Sequence, residues 1–222
     1  HSAARARLFF VEAPCDIPIV DASVRERLRC GTVRVPRDDA DPAAGNFELA
    51  VVVKRSAAPR AGAAPVLILH GGPGGEQTRN MGGSANDFVP GHDSIAFDMR
   101  GGGRTGPTLC RDMAAAQVAG LREGLLGRDP EVPRVAALAA CKQALAEAGY
   151  HPAHFGTARN VADAEAIRTA LGIERWAVYG MSYGTTVAAD YLARHPQAIE
   201  SVVLDSLYPP DEFVPSVREG QG

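Results

Sequence analysis

The chain has 222 residues, 45% of them hydrophobic, and a formal net charge of -3; that balance, with arginines scattered rather than clustered, leaves no electrostatic footprint for nucleic acid. No apolar run approaches the roughly 18 residues needed to cross a bilayer. The opening His1-Ser2-Ala3 has no signal-peptide core, so any export signal is expected to have been removed or left out.

In chain order, Cys30 to Val35 and Phe47 to Lys54 alternate like strands, with the polar stretch from Pro36 to Pro42 between them, and predict an opening antiparallel hairpin. Ala57 to Ala64 reads as a soft linker. Val66-Leu67-Ile68-Leu69 predicts a buried strand that runs directly into His70-Gly71-Gly72-Pro73-Gly74-Gly75, a loop whose glycines imply closely fitting backbone. A phosphate cradle is the competing reading of such a loop, but neither GxGxxG nor GxxxxGK[ST] is matched between His70 and Asn80. Ser94 to Phe97 predicts another strand, followed by a polar, glycine-rich turn at Asp98 to Gly106. Helical periodicity returns at Val132 to Ala148, closed by Gly149, and at Val161 to Leu171, with Asn160 as its N-cap and Gly172 past its end. Trp176 to Tyr179 predicts a strand, Thr185 to Arg194 a helix, and Ser201 to Asp205 one more buried strand. Strands alternating with helices after a hairpin predict one α/β domain over 1–222, with a mainly parallel sheet and its functional loops at the strands' carboxyl ends.

Between the last predicted helix and its strand lies Gly180-Met181-Ser182-Tyr183-Gly184. With 24 Gly in the chain, a GxSxG pattern arises by chance in roughly one chain in ten of this composition, so its flanks have to carry it. They do, because a strand before and a helix after make a sharp turn that presents a nucleophilic serine, and the small residues on either side let neighbouring backbone approach. The start of the following helix aims unpaired amides and its positive dipole end at the same place. An oxyanion formed there needs backbone donors, each worth about 3 to 4 kcal/mol. Gly72, in the loop after the earlier strand, and Tyr183, next to the serine, are the expected pair. His70 suits a loop-organising hydrogen bond better than a catalytic one.

Three stretches, His70 to Gly75, Asp98 to Pro107 and Gly180 to Thr185, together resemble the proline iminopeptidase and tripeptidyl aminopeptidase family of α/β-hydrolases, over about residues 15 to 210 and in the same order. The resemblance is nearer to the secreted tripeptidyl aminopeptidase branch, which is similar at the cysteines as well. Met99 and Gly102 stand where that family more often has Gln and a small Thr or Ser, a departure that bears on substrate rather than on fold. The resemblance implies an α/β-hydrolase fold of which this chain holds six strands of eight, without the lid and the last two strands. It also implies a short peptide as substrate, cleaved near its free N-terminus, and no metal or organic cofactor.

Cys15, Cys30, Cys110 and Cys141 form an even set without a CxxC pair, which argues against metal or redox motifs and for disulfides. Four cysteines allow three pairings, and four free thiols in a cytosolic protein remain the alternative. The resemblance implies Cys15 with Cys30 and Cys110 with Cys141, each stabilising by about 3 kcal/mol in the chain-entropy model, and a secreted or periplasmic protein.

A serine hydroxyl needs a histidine to take its proton and a carboxylate to orient that histidine, in the chain order Ser, Asp or Glu, His for this fold. The only histidine after Ser182 is His195, roughly 20 Å along the same helix at 1.5 Å per residue. His1, His92, His151 and His154 precede the elbow, out of order and away from strand ends that converge on the serine. Asp205 ends a strand, and the resemblance makes it a structural aspartate at the sheet edge. The expectation is therefore a second polypeptide, carrying the lid and the triad Asp and His, docked on this one; a truncation is the alternative.

The reaction expected is acyl transfer to water through Ser182. A carboxylesterase or lactonase uses the same machinery, since fold and elbow do not choose between amide and ester, and a non-catalytic binding module is the remaining alternative. Glu76, just past the glycine loop, is a candidate for a substrate ammonium, against the plainer reading of a solvated loop glutamate.

Overall fold

A computed structural model describes residues 8–107, 110 and 112–207. Seven strands form one mixed sheet in the order β1-β2-β3-β5-β4-β6-β7. They are β1 (Phe10–Ala13), β2 (Leu28–Pro36), β3 (Asn46–Lys54), β4 (Val66–Leu69), β5 (Ser94–Phe97), β6 (Trp176–Met181) and β7 (Ile199–Asp205). The first three, and the β3/β5 pair, run antiparallel, whereas β4 pairs in parallel with β5 and β6, and β6 with β7. Four helices follow or join them: α1 (Met113–Leu125), α2 (Glu131–Glu147), α3 (Thr157–Ala170) and α4 (Tyr183–Arg194).

The two-residue period of the strands divides the core. Val51 and Val53 of β3 face the main cluster, which includes Leu67 and Leu69 of β4, Val161, Ala164 and Ile167 of α3, and Val187, Ala188 and Tyr191 of α4. Val52, between them, faces a smaller cluster with Ile17, Val24 and Met81 on the opposite side. The chain passes from β4 to β5 on one side and returns to β6 on the other, so strand order reverses at β4. Such a reversal leaves a crevice beyond the strands' carboxyl ends, and both glycine-rich segments of the sequence end there.

The structure departs from the sequence reading at four places. A short strand, β1, adds to the hairpin, making seven strands rather than six. Helix α1 precedes the predicted helices; its Val118, Leu121 and Leu125 are exposed, so no inward apolar stripe announces it. Helix α3 begins a turn early, behind Gly156 at φ 106, which places Asn160 inside the helix as a buried residue and not at its N-cap. Strand β7 is mostly exposed instead of buried, with Val203 at 54%, because among the described residues no strand pairs with its outer edge.

One buried ion pair fastens α3 to the turn after β5. The Arg100 guanidinium donates twice to the Asp163 carboxylate, at 2.7 Å each, and spreads its remaining N–H groups over the carbonyls of Pro36, Arg37 and His154 at 3.0 to 3.1 Å. Burial pushes the Asp163 carboxyl up, and the two Arg100 hydrogen bonds oppose that. All five guanidinium donors are satisfied, the condition under which a buried pair is tolerated.

The predicted disulfides both form, Cys15 with Cys30 and Cys110 with Cys141. The second crosses from the start of α1 to α2, a helix with no fully buried residue, so the hairpin depends on its cross-link more than on a core of its own.

Asp163→Asn leaves the Arg100 charge buried without its counter-ion and is expected to cost about 3 to 5 kcal/mol, read as a fall of roughly 10 °C in thermal midpoint. Replacing Cys110 and Cys141 together by Ser removes a cross-link worth about 3 to 4 kcal/mol in the chain-entropy model. Hydrogen exchange is expected to accelerate across α1 and α2 and stay slow in β3 to β6.

Candidate active site

Strand β6 and helix α4 meet at Ser182, whose φ of 52 and ψ of -122 are rare for a residue with a side chain. Holding such a conformation costs on the order of 1 to 3 kcal/mol and requires surroundings that over-determine it. They do so here. The Ser182 N–H donates to the Asp205 carbonyl at 3.0 Å, and its own carbonyl accepts from the Thr185 N–H at 2.8 Å and the Thr185 hydroxyl at 2.6 Å. The serine side chain stays exposed.

The glycines around it are needed for space. A β-carbon at Gly184 would collide with the Leu69 carbonyl oxygen at the end of β4, and one at Gly180 would meet the Gly184 carbonyl oxygen at 2.5 Å and Ala188 Cβ at 3.0 Å. Helix α4 therefore starts pressed against the end of β4. The loop leaving β4 closes on the serine in turn: a β-carbon at Gly71 would stand 2.9 Å from Ser182 Cβ and 3.3 Å from Oγ. Gly72 follows at φ 131, a backbone conformation suited to glycine. Tyr183 opens α4, where its N–H has no acceptor within the helix.

Asp98, fully buried at the end of β5, fixes the far side of that loop. Its carboxylate accepts from the Thr78 N–H at 2.9 Å, the Thr78 hydroxyl at 3.0 Å and the Arg104 N–H at 2.8 Å. Gly102 rides against Gly74, where a β-carbon would come within 3.0 Å of backbone. The Asp98 to Gly106 turn thus braces the glycine loop from behind, a role not legible from the sequence, although a carboxylate directly after an apolar strand was the signal. Gln77, also buried, accepts the His70 N–H at 3.3 Å.

Other predicted residues fall elsewhere. Glu76 faces Arg79 at 3.5 Å, and no hydrogen bond ties it to Ser182. His92 lies before β5, at the opposite end of the sheet from the serine, against Arg60 and the Ala64 carbonyl. His151 and His154 cap the turn before α3, and His195 ends α4. Burial pushes the His70 imidazolium down. His1 lies outside the described residues, and among them no imidazole is hydrogen-bonded to Ser182. Both oxygens of the Asp205 carboxylate are engaged, one by the Tyr179 hydroxyl and one by the Ser206 hydroxyl at 3.1 Å, which hold it below the usual carboxylate range. Among the described residues no group of three or more His, Cys, Asp or Glu is arranged to hold a metal, and no helix is long and apolar enough to cross a membrane.

A family model described as the alpha/beta hydrolase fold matches residues 64–220. The chain is 29% identical over 199 residues to a tripeptidyl aminopeptidase of Streptomyces lividans, covering 86% of this chain and 37% of that protein. It is 26% identical over 224 residues to a serine protease of Mycobacterium bovis, covering 94% and 42%. Among solved structures, the proline iminopeptidase-related protein of Thermus thermophilus aligns with TM-score 0.44 and 24% identity over 79% of this chain and 44% of that one. The chain thus spans less than half the length of these relatives. With the matched model covering more than half of its residues, the chain belongs to the α/β-hydrolase fold family.

Proposed function

We propose that this chain is the nucleophile-bearing, N-terminal part of a single catalytic domain, and that the complete protein is a serine hydrolase removing residues from the N-termini of peptides. The observation that carries the reading is Ser182: exposed, held at φ 52, and packed at its β-carbon against the glycine loop after β4. In this reading Ser182 Oγ attacks the carbonyl carbon and passes its proton to an imidazole. The Gly72 and Tyr183 amides hold the oxyanion. The C–N bond then breaks as the imidazole returns the proton to the leaving amine, and water releases the acyl group from Ser182 by the same steps.

The imidazole and the carboxylate that orients it come from polypeptide outside these 222 residues, which also carries the lid. Two features support this: among the described residues no imidazole reaches the serine, and β7 presents an unpaired, partly apolar edge of the kind that another strand covers. Glu76, at the end of the glycine loop, receives the substrate ammonium. The names of the relatives, a tripeptidyl aminopeptidase and a serine protease, favour a peptide over an ester. The two disulfides favour export to an oxidising compartment.

Ser182→Ala in the complete protein is expected to abolish fluorophosphonate labelling and to lower kcat by roughly five to six orders of magnitude. Gly71→Ala, which drives a methyl group into Ser182, is expected to lower kcat about 100-fold by displacing Oγ. Steady-state kinetics on tripeptidyl amides and aryl esters measure both, and wild-type preference for the esters would replace the peptidase reading with an esterase. Full activity from these residues alone, a 23.3 kDa species, would remove the outside imidazole and carboxylate from the account.

A further inference from the structure

Helix α3 meets the first turn of the nucleophile helix at one atom, the Tyr183 hydroxyl oxygen, and meets the same helix again farther along where the Tyr191 hydroxyl donates to Glu165 at 2.9 Å. Asn160 Nδ2 donates to the Tyr183 hydroxyl oxygen at 3.2 Å, and Thr157 Oγ1, one turn earlier on α3, lies 3.1 Å from the same atom. The Asn160 Nδ2 can only donate there, so the phenol oxygen accepts from it, while between the phenol and Thr157 either hydroxyl can be the donor. The next inward positions of α3, Val161, Ala164 and Ile167, are apolar and buried.

Asn160 is a poor choice for stability alone. Asparagine competes with the helical backbone for hydrogen bonds, and this one is 4% exposed with an Oδ1 that has no hydrogen-bond partner. A buried oxygen left unpaired is destabilising, and such departures from local rules concentrate where a protein needs them for function. Here the departure points at one residue. Tyr183 follows the nucleophile directly, and its ring and its backbone N–H leave adjoining atoms of one residue at the first position of α4. Fixing the phenol at its far end limits rotation of the residue that holds the amide. The other end of the contact is itself anchored, because Asp163, one turn after Asn160, is paired with Arg100 at 2.7 Å.

We infer that Asn160 and Thr157 are positioning residues that hold the Tyr183 side chain and so keep its N–H aimed at the developing oxyanion. The inference rests on the serine hydrolase reading of Ser182. It predicts that their loss weakens the transition state and leaves substrate binding alone.

The test compares the wild-type complete protein with Asn160→Ala, Thr157→Val, Tyr183→Phe and the Asn160→Ala/Tyr183→Phe double variant. The readouts are the rate of Ser182 labelling by a fluorophosphonate, and kcat and KM on a peptide amide. Asn160→Ala and Tyr183→Phe are each expected to lower kcat and the labelling rate about 10- to 100-fold, with KM within about twofold and with the double variant no worse than either. Tyr183→Phe deletes a single oxygen and decides the matter if Asn160→Ala does not fold. Wild-type kcat in Tyr183→Phe, losses in KM alone, or additive losses in the double variant would overturn the inference. A wild-type protein unlabelled at Ser182 would instead overturn the serine reading itself, before any variant is compared.

Discussion

Ser182 can occupy its rare backbone conformation because three pieces of main chain meet without side chains between them. Gly184 lets the first turn of α4 press on the Leu69 carbonyl at the end of β4, Gly180 admits the Gly184 carbonyl, and Gly71 brings the next loop against the serine. A methyl group at any of these contacts would separate a strand end, a helix start and a loop that act together. The Ser182 N–H, bonded to the Asp205 carbonyl, ties the same point to β7. The position of Ser182 is thus a property of the parallel sheet, and the geometry proposed for the nucleophile is only as rigid as the packing of β4, β6 and β7.

Two buried charges make that packing durable. Asp98 gathers three donors from the segments behind the glycine loop, and Arg100, two residues later, locks α3 through Asp163. Both follow β5 directly, so one short stretch of chain braces the glycine loop on one side and the helix that contacts Tyr183 on the other. In a low-dielectric interior such groups are stable only when their hydrogen bonds are complete. The completeness around Arg100 and Asp98 contrasts with the unpaired Oδ1 of Asn160, the contrast from which its positioning role is inferred.

How much of this was legible in the sequence follows from how local each feature is. Strand β6, the elbow and α4 were legible to within two residues because strand propensity, paired glycines and an uninterrupted helical run all lie within twenty positions. The disulfide pairing was legible only through family resemblance, since cysteine spacing leaves three pairings open. Strand β1 was not legible: its four residues are mostly exposed and exist as a strand by pairing with β2, a non-local event reinforced by Cys15–Cys30. Asn160 looked like an N-cap because nothing local reveals that Gly156 starts the helix a turn earlier, or that Tyr183 lies across from it. The exposure of β7 was illegible for a similar reason, since Val202-Val203-Leu204 reads as buried whatever lies beside it.

The central claim is that Ser182 is a nucleophile served by the Gly72 and Tyr183 amides and by a base from outside this chain. The most direct measurement is a crystal structure of the complete protein with a peptide boronate bound. The account predicts a covalent bond from boron to Ser182 Oγ, a boronate oxygen about 2.7 to 3.1 Å from both amide nitrogens, and an imidazole from polypeptide beyond these 222 residues within hydrogen-bond reach of Oγ. A boronate bound to another residue, or an imidazole of this chain at Ser182, would contradict it.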